Sequence, residues 1–319
     1  MTGPAATLDV SLWAWALFGV LVLVMLAIDL GVGSRGARQE LTLRSSAWWS
    51  AAWIGLALAF GVVVLALLGS EAAVTYYTAY TLEKSLSIDN VFVFVLIFSE
   101  LDTPKSQQRR VLYWGVLGAL ISRGILIAGG MYLLDRFHWV LYPFAALIVL
   151  AAVRIVFGQN QERKAVVEAC SVCNSWVARF IPVTPVLHKG KFLIRRAGRL
   201  VATPLLIALV VVETTDLVFA LDSIPAVFSV SRSPFLVYTS NVFAMLGLRS
   251  LYFLLAGSIE KFRYLRFGLA GILVFVGAKM ILSDVVSIPT WASLAVIAFA
   301  VTCAVVFSLA RTPRSALIT

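Results

Sequence analysis

The feature that most constrains this chain is a series of nine apolar stretches, at about residues 12–32, 47–68, 73–98, 109–133, 139–158, 203–228, 235–257, 267–284 and 290–310. Each is close to the roughly 20 residues an α-helix needs to cross a hydrocarbon core of about 30 Å. Backbone groups in lipid must pair within their own segment, so each stretch reads as a helix. Punctuation at Gly69, Pro104, Gly158, Pro234 and Pro289 separates them. Composition agrees: 61% of residues are hydrophobic, 13% are charged, and the mean hydropathy is +0.95. Soluble domains carry about 25% charged residues. The expectation is one all-α polytopic membrane domain over residues 12–310. The first ten residues hold Asp9 and no Lys or Arg, unlike the basic start of a cleavable signal. The first apolar stretch is therefore expected to remain as a helix.

Charge placement sets the expected orientation. Seventeen basic residues fall in the odd-numbered loops, including Arg35, Arg38, Lys105, Arg110, Lys261 and Arg263. The even loops hold only Arg136 and Arg232. By the positive-inside rule the odd loops face the cytoplasm, with the N-terminus outside and the C-terminus inside. Trp48, Trp49, Trp139 and Trp291 stand near span ends, where interfacial aromatics belong. The net charge of +10 is spread over short loops, which argues against nucleic acid as a partner. The fifth loop, residues 159–202, is the one sizeable extramembrane segment. Its basic run from Lys189 to Arg199 reads as a topology determinant or as a contact for anionic lipid headgroups. It also holds Cys170 and Cys173; with only His188 nearby, the pair reads as two reduced thiols rather than a zinc site. Cys303 reads as an apolar filler.

The spans contain an internal repeat. The third carries Glu83, Asp89 and Asn90; the sixth carries Asp216, Asp222 and Ser223, with the same six-residue spacing between acids. Arg123 in the fourth span answers to Arg249 in the seventh, and Arg154 in the fifth to Lys279 in the eighth. Residues 73–158 and 203–284 are thus expected to be two copies of a three-helix unit. Three intervening helices make the copies antiparallel, an architecture of secondary transporters that places substrate near the midplane.

Charge inside a span is costly, on the order of 2.5–3.5 kcal/mol per residue at mid-depth. Asp29, Glu83, Asp89, Glu213, Asp216 and Asp222, with Lys84, Arg123, Arg154, Arg249 and Lys279, must therefore pair or face a hydrated cavity. Residues seven apart share a helix face, so Glu83 aligns with Asn90 and Asp216 with Ser223. Asp89 and Asp222 would join them only if the helices open locally, which Ser87, Thr215 and Pro225 favour. Carboxylate, amide and hydroxyl oxygens suit Mg²⁺, Ca²⁺ or Mn²⁺. The alternative is a set of interhelical salt bridges, with Lys84, Arg123 and Arg249 balancing neighbouring acids and Asn241 bonding between helices. No phosphate-binding loop, dinucleotide fingerprint, zinc-protease motif or nucleophile elbow is present, so neither an enzyme nor a prosthetic cofactor is expected.

The segments Leu82–Phe92, Ala202–Leu205, Val212–Phe228 and Thr239–Phe253 resemble the TerC family, and within it the Alx-like branch of bacterial inner-membrane proteins. The family is associated with tellurium resistance and grouped with LysE-type exporters. The resemblance implies Mn²⁺ efflux across the bacterial inner membrane, with Mn²⁺ as the transported ion. It implies a metal site drawn from Glu83, Asp89, Asn90, Glu213, Asp216, Asp222, Asn241 and Asp29. Carboxylates there would make proton coupling natural. The other function open to such a chain is a non-transporting scaffold in a stress or exoenzyme-metallation complex.

Overall fold

The computed structural model describes residues 10–35, 43–157, 161–188, 190–196, 198–256, 265–282 and 288–310. Among the described residues ten α-helices carry the fold. They are α1 (Leu12–Arg35), α2 (Leu43–Glu100), α3 (Lys105–Arg136), α4 (Leu141–Phe157), α5 (Gln161–Phe180), α6 (Pro204–Phe228), α7 (Pro234–Met245), α8 (Leu248–Ala256), α9 (Leu265–Ile281) and α10 (Thr290–Ala310). Among the described residues six segments are long and apolar enough to cross a membrane, α7 and α8 counting together as one; α4 and α9 are shorter apolar helices.

The longest helix is not straight. Gly69 adopts φ 88°, ψ 176°, a conformation that a side chain would strain. The Tyr76 hydroxyl donates to the Ala57 carbonyl at 3.1 Å, and Tyr77 to that of Leu58 at 2.9 Å. In a continuous helix residues 57 and 76 would stand about 28 Å apart. The chain therefore folds back at Gly69 into two antiparallel segments. A second break falls at Leu246 (ψ 126°) and Gly247 (φ 87°), between α7 and α8. There Trp53 lies so close to Gly247 that an added Cβ would sit 2.8 Å from the tryptophan Cβ.

The surface is the inverse of a soluble protein's. Leu67, Ile125, Leu150 and Phe299 are more than 60% exposed, whereas Arg123 is among the largest fully buried side chains. Broad exposed apolar surface of this kind marks contact with lipid. α4 packs on α9, α3 on α6, and α2 on both α7 and α8. One apolar core joins Leu82, Ile127, Ala145, Ile224 and Leu273; a second joins Val91, Phe98, Leu112, Leu205 and Tyr252. Along α2, α3 and α6 the two cores are separated by a polar layer at Glu83–Asn90, Arg123 and Glu213–Asp216. A third core, around Phe18, Trp53, Tyr76 and Phe243, ties α1 and the first part of α2 to α7.

The fifth loop is more structured than a basic connector. α5 turns Val166, Cys170, Cys173 and Val177 inward, one stripe at helical spacing, against α2 and α6. A β-hairpin follows: β1 (Leu193–Arg196) pairs antiparallel with β2 (Arg199–Ala202), Leu193 opposite Ala202.

Candidate functional site

Four side chains reach the polar layer from the middle of four helices. Glu83 lies 14 residues past the turn at Gly69, Arg123 is 18 residues into α3, Asp216 is 12 residues from either end of α6, and Asn241 is seven residues into α7. At 1.5 Å per residue the first three stand roughly 20 Å from the nearer helix end or turn, and Asn241 roughly 10 Å from the start of α7.

Arg123 is the hub. Its Nη1 donates to Glu83 Oε2 at 3.0 Å, its Nη2 to Asp216 Oδ1 at 3.2 Å and its Nε to Asp216 Oδ2 at 3.3 Å. The fork on Asp216 is the bidentate geometry that guanidinium favours. Asn90 Nδ2 donates to Asp216 Oδ1 at 3.3 Å, and Ser223 Oγ stands 3.5 Å from Arg123 Nη1. The three charged side chains are 1–4% exposed. Glu83 Oε1 and Asn241 Nδ2 are buried without a bonded partner among the described residues. The Asn241 amide attracts Glu83 yet stands outside hydrogen-bonding geometry.

A cavity of about 250 Å³ opens beside this cluster. Asn90, Arg123, Arg154, Thr215, Asp222 and Ser223 supply its polar wall, and Ala165, Val166 and Ala169 of α5 line it from the loop side. Arg154 attracts Asp222 within it. The cavity thus joins the buried cluster to the region under α5.

The sequence-expected residues divide into groups. Glu83, Asn90, Asp216, Arg123 and Asn241 converge. Asp222 joins them through the cavity. Glu213 packs against α3 where Gly118 leaves room for its carboxylate. Asp29 stands apart, paired with Arg249 at 2.7 Å. Lys84 donates to the Ala244 carbonyl at 3.2 Å, at the C-terminal end of α7. Asp89 lies on α2, but its side chain falls outside the described residues, as do Arg38, Lys189, Lys261 and Arg263. Among the described residues, no three His, Cys, Asp or Glu side chains converge as metal ligands. The expected opening of the third and sixth spans is not where the backbone breaks. α2 is helical beyond Gly69 and α6 is helical throughout, Pro225 included; the discontinuity is in the seventh span at Gly247. Pro225 removes one donor without ending α6, whereas Gly247 takes up a positive φ that suits glycine.

Two further contributors complete the cavity, Arg154 and α5. Arg154, one of the span cations expected to pair or face a hydrated cavity, lines the cavity. α5 was legible in the spacing of Val166, Cys170, Cys173 and Val177, a pattern masked by the surrounding charge. Burial, reinforced by Glu100 and Cys173, pushes the Cys170 thiol up to about 11, and burial also raises Cys173.

Apolar exterior, charged interior and mid-depth polar layer define an all-α, multi-pass integral membrane protein. The chain belongs to the integral membrane protein TerC family, whose profile matches residues 68–316. It is 46% identical over 297 residues to the membrane protein STKORF319 of Myxococcus xanthus, covering 93% of this chain and 92% of that one. It is 41% identical over 295 residues to Alx of Escherichia coli (strain K12), covering 89% and 90%; that protein's name proposes a membrane-bound redox modulator. A membrane protein of Rickettsia bellii is 34% identical over 287 residues, covering 89% and 92%. No solved structure matches the chain.

Proposed function

We propose that this chain exports a divalent cation, Mn²⁺ foremost, across the bacterial inner membrane in exchange for protons. The observation that carries this reading is the pair of buried carboxylates, Glu83 and Asp216, presented at mid-depth by two different helices beside a cavity lined by Asp222. Ionisable groups so deep in a membrane protein mark an ion pathway by default. Carboxylates bind protons and hard divalent cations at the same oxygens, so one site can serve both.

The transport reading includes nine spans. The two segments of α2 count separately because the chain reverses at Gly69, α7 and α8 form one broken span, and α4 and α9 complete the set. The basic loops place the N-terminus outside and the C-terminus in the cytoplasm. An inverted repeat accounts for the packing. Exchanging the second part of α2 with α6, α3 with α7–α8, and α4 with α9 turns the α3–α6 contact into the α2–α7/α8 contact and returns α4–α9 to itself. α5 then covers the cytoplasmic side of the cavity. No enzymatic step and no prosthetic group is part of this reading.

One observation favours a second reading, a scaffold in a metal-stress or metallation complex: the fifth loop is folded and could dock a protein. Thiol redox chemistry is a weaker basis, because Cys170 and Cys173 are buried and held protonated near neutral pH, and the thiolate is the reactive form.

Radiolabelled Mn²⁺ flux in proteoliposomes tests the proposal. Wild-type protein should move Mn²⁺ when a pH gradient is imposed, and Asp222→Asn at equal protein level should lose at least tenfold. Undiminished flux in Asp222→Asn combined with Asp89→Asn would sink the carboxylate pathway, and absence of flux in both proteins would favour the scaffold.

A further inference from the structure

We propose that Arg123 is a tethered cation that the transported ion must displace, so that the guanidinium and the metal occupy the two carboxylates in turn. This rests on the cation-transport reading above and adds the competitor built into its site.

Three of the four oxygens of Glu83 and Asp216 are already used. Arg123 takes Glu83 Oε2 and both oxygens of Asp216, and Asn90 adds a second bond to Asp216 Oδ1. Among the described residues, the fourth oxygen, Glu83 Oε1, has no bonded partner. A hard divalent cation needs about six oxygen ligands and could not gather them while the guanidinium holds its place. Arginine cannot be deprotonated in a protein. Its charge can move but cannot be removed, and a divalent ion beside it would be repelled at short range. Proton release could clear a lysine from such a site; arginine has to swing away.

The structure provides somewhere to swing. Arg123 lines the cavity, Ser223 Oγ already stands 3.5 Å from Nη1, and Asp222 waits on the same wall. A guanidinium leaving Glu83 and Asp216 for Asp222 exchanges two carboxylate partners for one, which it would share with Arg154, and stays paired. Return of Arg123 would expel the ion and refill the site, which prevents the buried acids from standing empty between cycles. A purely structural rivet explains this less well. Buried ion pairs contribute little net stability compared with apolar packing of the same volume, and this one joins three helices at the depth where lipid makes charge most costly.

Arg123→Lys is the discriminating change. It keeps the positive charge but loses the fork that grips Asp216 on two oxygens, so it is a weaker competitor. Mn²⁺ binding to purified protein, followed by electron paramagnetic resonance, should tighten at least tenfold in Arg123→Lys relative to wild type. Glu83→Gln and Asp216→Asn should lose binding. Unchanged or weaker affinity in folded Arg123→Lys, with wild type binding and the acid variants not, overturns the tethered cation and leaves the transport site intact. Failure of folded wild type to bind Mn²⁺ overturns both. Should Arg123→Lys not fold, infrared difference spectra of wild-type protein with isotope-labelled arginine decide. Mn²⁺ should shift a guanidinium band together with the carboxylate bands, and carboxylate shifts without an arginine shift overturn the proposal.

Discussion

Arg123 and Arg249 hold corresponding places in the proposed repeats, and their surroundings differ. Arg123 grips two carboxylates from two helices, Glu83 on α2 and Asp216 on α6, all nearly sealed from the surface. Arg249 has one carboxylate, Asp29 on α1, and also donates to that residue's backbone carbonyl at 2.6 Å; this pair is 13% and 19% exposed. α1 lies outside both repeats. By supplying Arg249 with its own partner it breaks the symmetry of the site, so only one of the two arginines is committed to the central acids. One arginine ties a peripheral helix in place. The other stands where an ion would have to pass.

The largest expected difference is in stability. Arg123→Ala leaves two buried carboxylates without their cation and should cost about 3–5 kcal/mol. Arg249→Ala removes one charged hydrogen-bonding partner at a partly exposed site and should cost about 1–2 kcal/mol. Thermal unfolding in detergent compares them. Removing the whole central set, with Arg123→Met, Glu83→Gln and Asp216→Asn together, should recover most of the loss because no uncompensated charge remains. Equal losses for the two alanine variants would break the distinction.

A smaller set of effects separates Glu83 from Asp29, two acids that the family resemblance assigned to one metal site. Glu83→Gln should abolish Mn²⁺ flux. Asp29→Asn weakens only the tie to Arg249 and should change flux by less than about twofold, while lowering stability by about 1 kcal/mol as the acceptor loses its charge. Flux lost in Asp29→Asn at normal protein level would return Asp29 to the ion pathway.

The helices and their polar members were legible because both signals are local. Apolar runs of about 20 residues leave little choice but a helix in lipid, and a charge inside one stands out without reference to the fold. The seven-residue spacing correctly put Glu83 with Asn90 and Asp216 with Ser223 on shared faces. Partner choice was not legible. Whether Arg123 meets Glu83, Asp216 or Asp29 depends on how α2, α3 and α6 pack, which no spacing along one helix encodes. The break was misplaced for a related reason. Ser87, Thr215 and Pro225 are residues that permit opening, but packing held α2 and α6 closed around the cluster. Gly247 attracted no notice as one of 21 glycines; the close approach of Trp53 and its positive φ show why the chain breaks there.

That break gives the smallest test. Lys84 is the immediate neighbour of Glu83 on α2, yet it faces α7, where its Nζ meets the Ala244 carbonyl just before the discontinuity. A helix that ends inside a membrane protein leaves carbonyls without helical partners, and a cation there satisfies one of them and opposes the negative end of the helix dipole. Lys84→Met keeps much of the stem and loses the charge, so it should cost roughly 0.5–1 kcal/mol, the range for a cation at a helix C-terminus. It should leave Mn²⁺ affinity unaltered, since the ammonium touches neither Glu83 nor Asp216. Affinity that instead rises as it is expected to in Arg123→Lys would mean that Lys84 shares the role of competitor cation, and that adjacent charges on α2 act as one unit.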